Sequence, residues 1–383
     1  MNILVLGNGF DIAHGLPTKY EHFLKFVEVF ERCKDLGLNK KSFKEEWEKA
    51  SDEEKPIVVE LGNLSDKKSD IFKEIKGLVE NNMWIQYFFN VYESRKVEGK
   101  DGWIDFESEI SEIVKDFDDV KKIVYEKIKV EKGTIEIGGE VTKRIKSFLE
   151  SCKRSVSSGK YVFSREYIAK IKKDLLFDLK RLIRCLELYL VVFINTKDIT
   201  NKLPDIEELA PQLDNVLSFN YTNTFQRMYR KDMNVSYIHG EAKMDSDVES
   251  CNMVVGIDEY LKGDEKNTNV DFIQFKKFFQ RIYKKTGNEY KDWVRNIVDN
   301  SIRFSKGNPI QNTLYIIGHS LDVTDKDILK ELILAPDTTT TIFYYNQEAM
   351  ASQIANLVKV IGQDELIERV HRKNPKIIFI QQK

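Results

Sequence analysis

Cysteine is scarce in this chain, with four residues in 383, at positions 33, 152, 185 and 251. No two of them form a CxxC half-site, which argues against a cysteine zinc module, and their spacing is not that of a disulfide-stapled secreted domain. Buried, reduced thiols are the expectation. A surplus of one charge is also lacking: Lys plus Arg is 60 and Asp plus Glu is 62, a formal net charge of −2. That balance gives no strong nucleic-acid signal. The longest apolar run, LYLVVFI at 188–194, falls far short of the ~20 residues that cross a bilayer. Asn2 and the polar GNGFD stretch leave no room for the apolar core of a signal peptide. The expectation is a cytoplasmic protein with no membrane partner. Neither HExxH nor GxSxG occurs, which argues against zinc proteases and α/β-hydrolases. No convincing metal-binding carboxylate cluster stands out, so a nuclease is disfavoured and no metal is expected. Internal repeats and low-complexity linkers are absent as well.

What is present is a globular composition, 42% hydrophobic and 11% aromatic. ILVL at 3–6 reads as a short buried strand, and Phe23, Phe26, Val27 and Phe30 recur at helical spacing just after it. From about 35 to 205 the sequence is charged and mostly helical. Its best-defined helix lies near 172–194, where Leu175, Leu176, Leu179, Leu182, Ile183, Leu186 and Leu190 form an apolar stripe. KGTIEIGGEV at 132–141 alternates and suits a small hairpin. After Pro211 the texture changes to short β-branched and aromatic segments: NVLSF (215–219), VSYIH (235–239), MVVGI (253–257), TLYIIG (313–318), TTIFYY (340–345) and KIIFI (376–380). Helical stretches at 272–299 and 322–335 lie among them. Strands alternating with helices predict an α/β fold with a mostly parallel sheet. The first strand, having no partner nearby in sequence, is expected to join that sheet. The expected division is a core of 1–34 plus 211–383, interrupted by a large helical insertion at 35–210.

Each polar cluster of interest follows a predicted strand. GNGFD follows ILVL, NYTN follows LSF, His239-Gly240 follows VSYI, and GHSLD follows LYII. Ligands of open α/β sheets bind outside the carboxyl ends of strands. Gly7 and Gly9 would let backbone N–H groups face a phosphate, or would simply form a tight turn. Asp11 is open to two roles, capping the next turn or bonding a ribose hydroxyl. Asn220 suits holding a ribose or orienting a water, and equally suits a strand-end turn. His239 is the histidine placed to act as a base, although a structural role is open to it too. Gly318, His319 and Ser320 could offer donors to a phosphate, or belong to a cap in which Ser320 or Asp322 starts the next helix. In GWIDFESEI, Asp105 and Glu109 share one helical face, where an acidic structural face competes with acid–base chemistry.

These motifs carry a resemblance. LVLGNGFDIAHGLPTKYEHFLKF, WIDFE (103–107), LSFNYTNTF (217–225), YIHG (237–240) and YIIGHSLDVTD (315–325) resemble the AbiH-type bacteriophage abortive-infection family over most of the chain. The same series is similar to the nucleotide core of sirtuins, which carry GAGxS, GIP, NID, His-Gly and GTSL in that order. The counterparts here are GNGFD, Gly15-Leu16-Pro17, Asn220 in NYT, His239-Gly240 and GHSL at 318–321, with the eight-residue step from Gly7 to Gly15 kept. Asp11 stands where sirtuins have Ser, Thr222 where they have Asp, and His319 where they have Thr. The four-cysteine zinc module is missing, which disfavours protein deacylation.

The resemblance implies a Rossmann-like, sirtuin-like sheet and an antiphage effector that hydrolyses NAD, or a related nucleotide, at the nicotinamide glycosidic bond. Asn220 and His239 would then be catalytic. Gly7, Asn8, Gly9, Phe10, Asp11, Gly15, Thr18, Gly318, His319 and Ser320 would bind NAD or NADP as substrate. The alternative is a nucleotide-binding sensor or interaction module without turnover. A phage-derived trigger and a homo-oligomeric partner are left open by the sequence.

Overall fold

The structure is a computed structural model that describes residues 1–36, 40–66, 70–97, 104–128, 133–137, 139–152, 162–304 and 310–383. The chain divides into two compact units. One is an α/β unit of Met1–Thr18, Ile194–Ala242 and Lys284–Lys383; the other, mostly helical, is Lys19–Phe193 with Lys243–Tyr283. The sequence places its boundaries at 34 and 210, whereas the contacts group the helix Tyr20–Cys33 and the stretch Lys243–Tyr283 with the helical unit.

The α/β unit is built on six strands: β1 (Asn2–Leu6), β2 (Asn215–Ser218), β3 (Val235–Tyr237), β4 (Asn312–Ile317), β5 (Thr338–Tyr344) and β6 (Ile377–Gln381). They lie in the order β3-β2-β1-β4-β5-β6, and every pairing is parallel. The chain therefore builds outward from β1 on one side, returns to its centre, and builds outward on the other. β1 is buried along nearly its whole length, as a strand covered on both faces must be. Alternation divides its side chains between two cores. Ile3 and Val5 pack with Leu217, Ile316, Ile328, Leu332 and Leu357 on one face. Leu4 and Leu6 pack with Phe10, Ile206, Val216, Phe225 and Phe343 on the other.

MVVGI at 253–257 is expected to be a strand but joins no sheet; it makes only an isolated bridge between Ile257 and Lys276. Its backbone is satisfied locally instead. Ile257 N–H donates to Phe275 O, Lys277 N–H donates to Ile257 O, and the Gln280 amide donates to Val255 O. The stretch 272–299 is not one helix either. Lys277–Lys284 and Glu289–Arg303 are separated by Lys285 and Gly287, both left-handed with φ +55° and +57°. The stripe near 172–194 forms the helix Arg165–Leu188, capped by the Ser164 hydroxyl, and continues as a wider π turn through Tyr189–Ile194. Within 132–141, where a local hairpin is expected, the short strand Ile135–Glu136 pairs instead with Val162–Phe163. Residues 132 and 138 of that segment lie outside the described residues.

In the helical unit the apolar face of Tyr20–Cys33 buries Phe23, Phe26, Val27 and Phe30. Trp84, Phe88, Phe106, Phe117 and Phe148 are buried in the same unit. WIDFE is structural there: Asp105 caps Phe106–Lys127 by accepting from Glu107 N–H at 3.0 Å, and Phe106 stacks on Phe88 at 4.0 Å. Glu109 is held by Tyr87 and Arg95. Trp103 lies outside the described residues. All four cysteines are buried free thiols. Among the described residues no helix is long and apolar enough to cross a membrane.

Candidate functional site

Two glycine turns meet where the strand order reverses. Leu6 and Ile317 are register partners at the ends of β1 and β4, so the turns that follow begin side by side. Gly7 N–H donates to Ile317 O at 3.1 Å, Gly9 N–H to Gly318 O at 2.8 Å, and Phe10 N–H to Gly7 O at 2.9 Å. A methyl group on Gly7 would lie 2.6 Å from Gly318 O, and one on Gly318 would lie 2.1 Å from Phe10 N. Gly318 is also left-handed, with φ +67°. The glycines thus let two backbones touch, and these three N–H groups are spent inside the fold rather than bared to a phosphate. Gly15, at φ +74°, has open space around it and serves as a turn residue. The Thr18 hydroxyl donates to Asn8 Oδ1 at 2.6 Å, which ties the two ends of the motif together.

Behind this loop the motif turns inward. Phe10 is a core side chain, tilted against His14 at 4.5 Å between ring centroids. His14 is pinned at both nitrogens: Nδ1 lies 2.7 Å from Phe10 O, and Nε2 lies 2.8 Å from the Tyr229 hydroxyl. Since a carbonyl only accepts, Nδ1 carries the proton and Nε2 accepts from tyrosine. Burial holds the His14 pKa below its ordinary value, partly offset by the bond to Phe10 O.

Asp11 is 1% exposed. Its Oδ2 accepts from the Thr222 hydroxyl at 2.6 Å, and Thr224 donates in turn to Thr222 at 3.1 Å. Burial pushes its pKa up to about 6, against the opposing hydroxyls of Thr222 and Thr224, the Asn220 amide and the charge of Arg227. The Asn220 amide is close by, but its hydrogen bond goes to Gly7 O at 3.0 Å. Asp11 Oδ1 and Asn220 Oδ1 are buried acceptors that receive no hydrogen bond. Two orphaned acceptors beside each other favour a proton on Asp11 or a donor brought from outside. Thr222 is therefore the hydroxyl partner of the buried Asp11.

A second polar cluster joins three segments. His239 follows β3, His319 follows β4, and Asp325 stands at the N-cap position of the helix Lys326–Ile333 without a side-chain capping bond. His239 Nε2 lies 3.6 Å from Asp325 Oδ1, and His319 Nε2 lies 3.6 Å from Asp325 Oδ2. All three side chains are buried. The Phe219 ring stands edge-on to both imidazoles. Among the described residues no group of three or more His, Cys, Asp or Glu side chains is arranged to hold a metal ion.

A cavity of about 740 Å³ opens at the reversal point. Gly9, Ile12 and Ala13 form one wall and Gly318, His319 and Ser320 a second, while Phe343, Tyr345, Ser352 and Gln353 close the far side. The Gln353 amide donates to His319 O at 3.1 Å, which braces the second turn from behind. Ser320 is exposed, and its carbonyl accepts from Asn356 at 2.9 Å. Asn220 and His239 do not line this cavity. The structure therefore gathers Gly9, Gly318, His319 and Ser320 around one space and places Asn220 and Asp11 in a separate buried cluster. His319 belongs to the cavity wall and, with His239, to the Asp325 cluster.

Sequence reasoning missed four residues. Asp325 and Leu321 stand within YIIGHSLDVTD, where only a geometric reading gives them a role. His14 lies inside the opening motif itself. Gln353 sits in an ordinary amphipathic helix, Gln347–Ile361, with no local signal.

A family model described as bacteriophage abortive infection AbiH matches residues 3–345 of the chain. No curated protein and no solved structure matches it.

Proposed function

The chain belongs to the bacteriophage abortive infection AbiH family, and from that premise we propose that its α/β unit binds NAD or NADP and hydrolyses it at the nicotinamide glycosidic bond. Depletion of that cofactor would stop an infected cell before phage matures. The observation that carries this reading is the cavity between the Gly9 turn and the Gly318–Ser320 turn, at the point where the strand order reverses. Numbered along the chain, the sheet runs 3-2-1-4-5-6, the order of doubly wound dinucleotide-binding sheets, whose ligands sit outside the carboxyl ends at that crevice. The likeness of GNGFD, Gly15-Leu16-Pro17, NYT, His239-Gly240 and GHSL to the sirtuin series supports the same ligand.

In the proposed reaction the bond between ribose C1′ and the nicotinamide nitrogen breaks, and nicotinamide leaves with the bonding pair. Water adds to C1′ and yields its proton to His239, which releases it to solvent. Asn220 orients the ribose or the water. Positioned dipoles can stabilise the cationic sugar without a metal.

A second reading, binding without turnover, is favoured by one observation: Asn220 and His239 are 7% and 5% exposed and lie outside the cavity wall. Incubating the purified protein with NAD, alone and with phage extract, and following free nicotinamide separates the two. Release that Asn220→Ala and His239→Ala each abolish, with folding intact, supports hydrolysis. Saturable NAD binding without release supports the sensor. Release that survives both substitutions sinks the roles given to these residues.

A further inference from the structure

The row His239–Asp325–His319 has a polarity that the hydrogen bonding fixes. Leu321 N–H donates to His319 Nδ1 at 2.9 Å, made possible because Leu321 adopts a left-handed backbone at φ +59°. A backbone N–H can only donate, so Nδ1 is an acceptor, and a neutral His319 ring carries its hydrogen on Nε2. That hydrogen faces Asp325 Oδ2. The same nitrogen has no lone pair left for a metal ion. One oxygen of Asp325 thereby faces the His319 N–H at 3.6 Å, beyond hydrogen-bond length, and the other faces His239 Nε2 at the same distance. A left-handed, fully buried leucine is a costly way to hold an imidazole, and such strain persists only where the surroundings enforce it.

We infer that Asp325 is a positioning residue: with His319 as its anchor, its carboxylate sets the orientation and proton placement of the His239 imidazole. This rests on the reading of His239 as the base in the preceding section. Asp325 touches no reacting atom. When His239 takes the proton of the attacking water, the new imidazolium faces a carboxylate already in place, so no dipole has to reorganise. Asp325 exchanges no proton in this step, and the proton leaves from His239. The His319 side chain is thus assigned to this carboxylate, and its backbone stays in the turn that lines the cavity.

Ring-nitrogen NMR of the full chain labelled with ¹⁵N-histidine tests this without needing turnover. Five histidines give few signals, assigned by His239→Gln and His319→Gln. The expected result is an Nε2–H form for His319, and an Asp325→Asn spectrum in which His239 and His319 both move while His14, His22 and His371 stay. If Asp325→Asn fails to fold, Asp325→Glu, which shifts the carboxylate by one methylene, should move the same two rings. An unmoved His239 in a folded variant overturns the proposal. Nicotinamide release from NAD supplies the second readout. Asp325→Asn should lower kcat about 100-fold with KM within about threefold, Asp325→Glu should recover part, and Asp325→Asn should add nothing to His239→Ala. A loss confined to KM, or one that multiplies on His239→Ala, overturns it. A wild type that releases no nicotinamide defeats hydrolysis itself, and the spectra still decide what Asp325 does.

Discussion

Thr222 donates its hydroxyl to Asp11 over 2.6 Å, joining side chains 211 positions apart. The bond ties the short helix Asn8–Ala13 after β1 to the loop after β2 and leaves the other Asp11 oxygen buried without a donor. A carboxylate in that position costs the fold free energy, which makes its ionisation visible in stability.

Asp11→Asn should show this as a pH-dependent gain. The folded pKa is raised to about 6, so the native state holds this proton over a range in which the unfolded chain has lost it. Wild-type stability contributed by this group is therefore present at low pH and is lost as pH rises from about 4 through about 6. Asparagine keeps an acceptor for Thr222 and has no charge to bury. Urea unfolding of the variant should match wild type near pH 4 and exceed it by up to about 3 kcal/mol above pH 7. A difference independent of pH would contradict the burial argument.

The two glycine turns predict a sharp contrast. Gly318→Ala combines a left-handed backbone with a methyl 2.1 Å from Phe10 N, so the backbone must move, at a cost of about 3 kcal/mol or more. Gly15→Ala is also left-handed but meets nothing within 4 Å, and should cost about 1–2 kcal/mol. Thermal unfolding of the two variants side by side checks the ranking.

Tyr229→Phe isolates the structural part of the opening motif. The Tyr229 hydroxyl accepts from Leu203 N–H at 2.7 Å and serves His14 Nε2 at 2.8 Å. Its removal leaves partly buried groups unpaired and should cost about 1–3 kcal/mol in denaturant unfolding. NAD binding, measured by calorimetry on the folded variant, should be unchanged.

Filling the cavity should separate binding from folding. Ser352 is solvent-facing and lines the wall opposite the glycine turns. Ser352→Trp should weaken NAD binding at least about tenfold while leaving stability within about 0.5 kcal/mol, as exposed substitutions usually do. Undiminished binding would move the nucleotide out of this cavity.

Strand existence was legible because burial on both faces leaves a compositional trace: ILVL, NVLSF, TLYIIG and TTIFYY are short, apolar and β-branched. The same trace misled at MVVGI, since a buried extended segment looks alike whether its backbone pairs in a sheet or with a nearby loop. Strand-end location predicted that GNGFD and GHSL lie near each other, and their turns do meet. It could not say that the Gly7 and Gly9 N–H groups are spent on β4 and its turn, because that depends on which strand lies beside β1.

By itself, then, the sequence determined the periodicities, the strand-ending motifs and the lack of any CxxC pair, all of which are local properties of the chain. Tertiary structure alone decided that Thr222 rather than solvent meets Asp11, that one carboxylate faces both His239 and His319, and that Gln353 braces the second turn. Of these, the Gln353–His319, His239–Asp325 and Thr222–Asp11 contacts span 34 to 211 positions. They depend on strand order and register, which one-dimensional patterns of hydrophobicity do not encode.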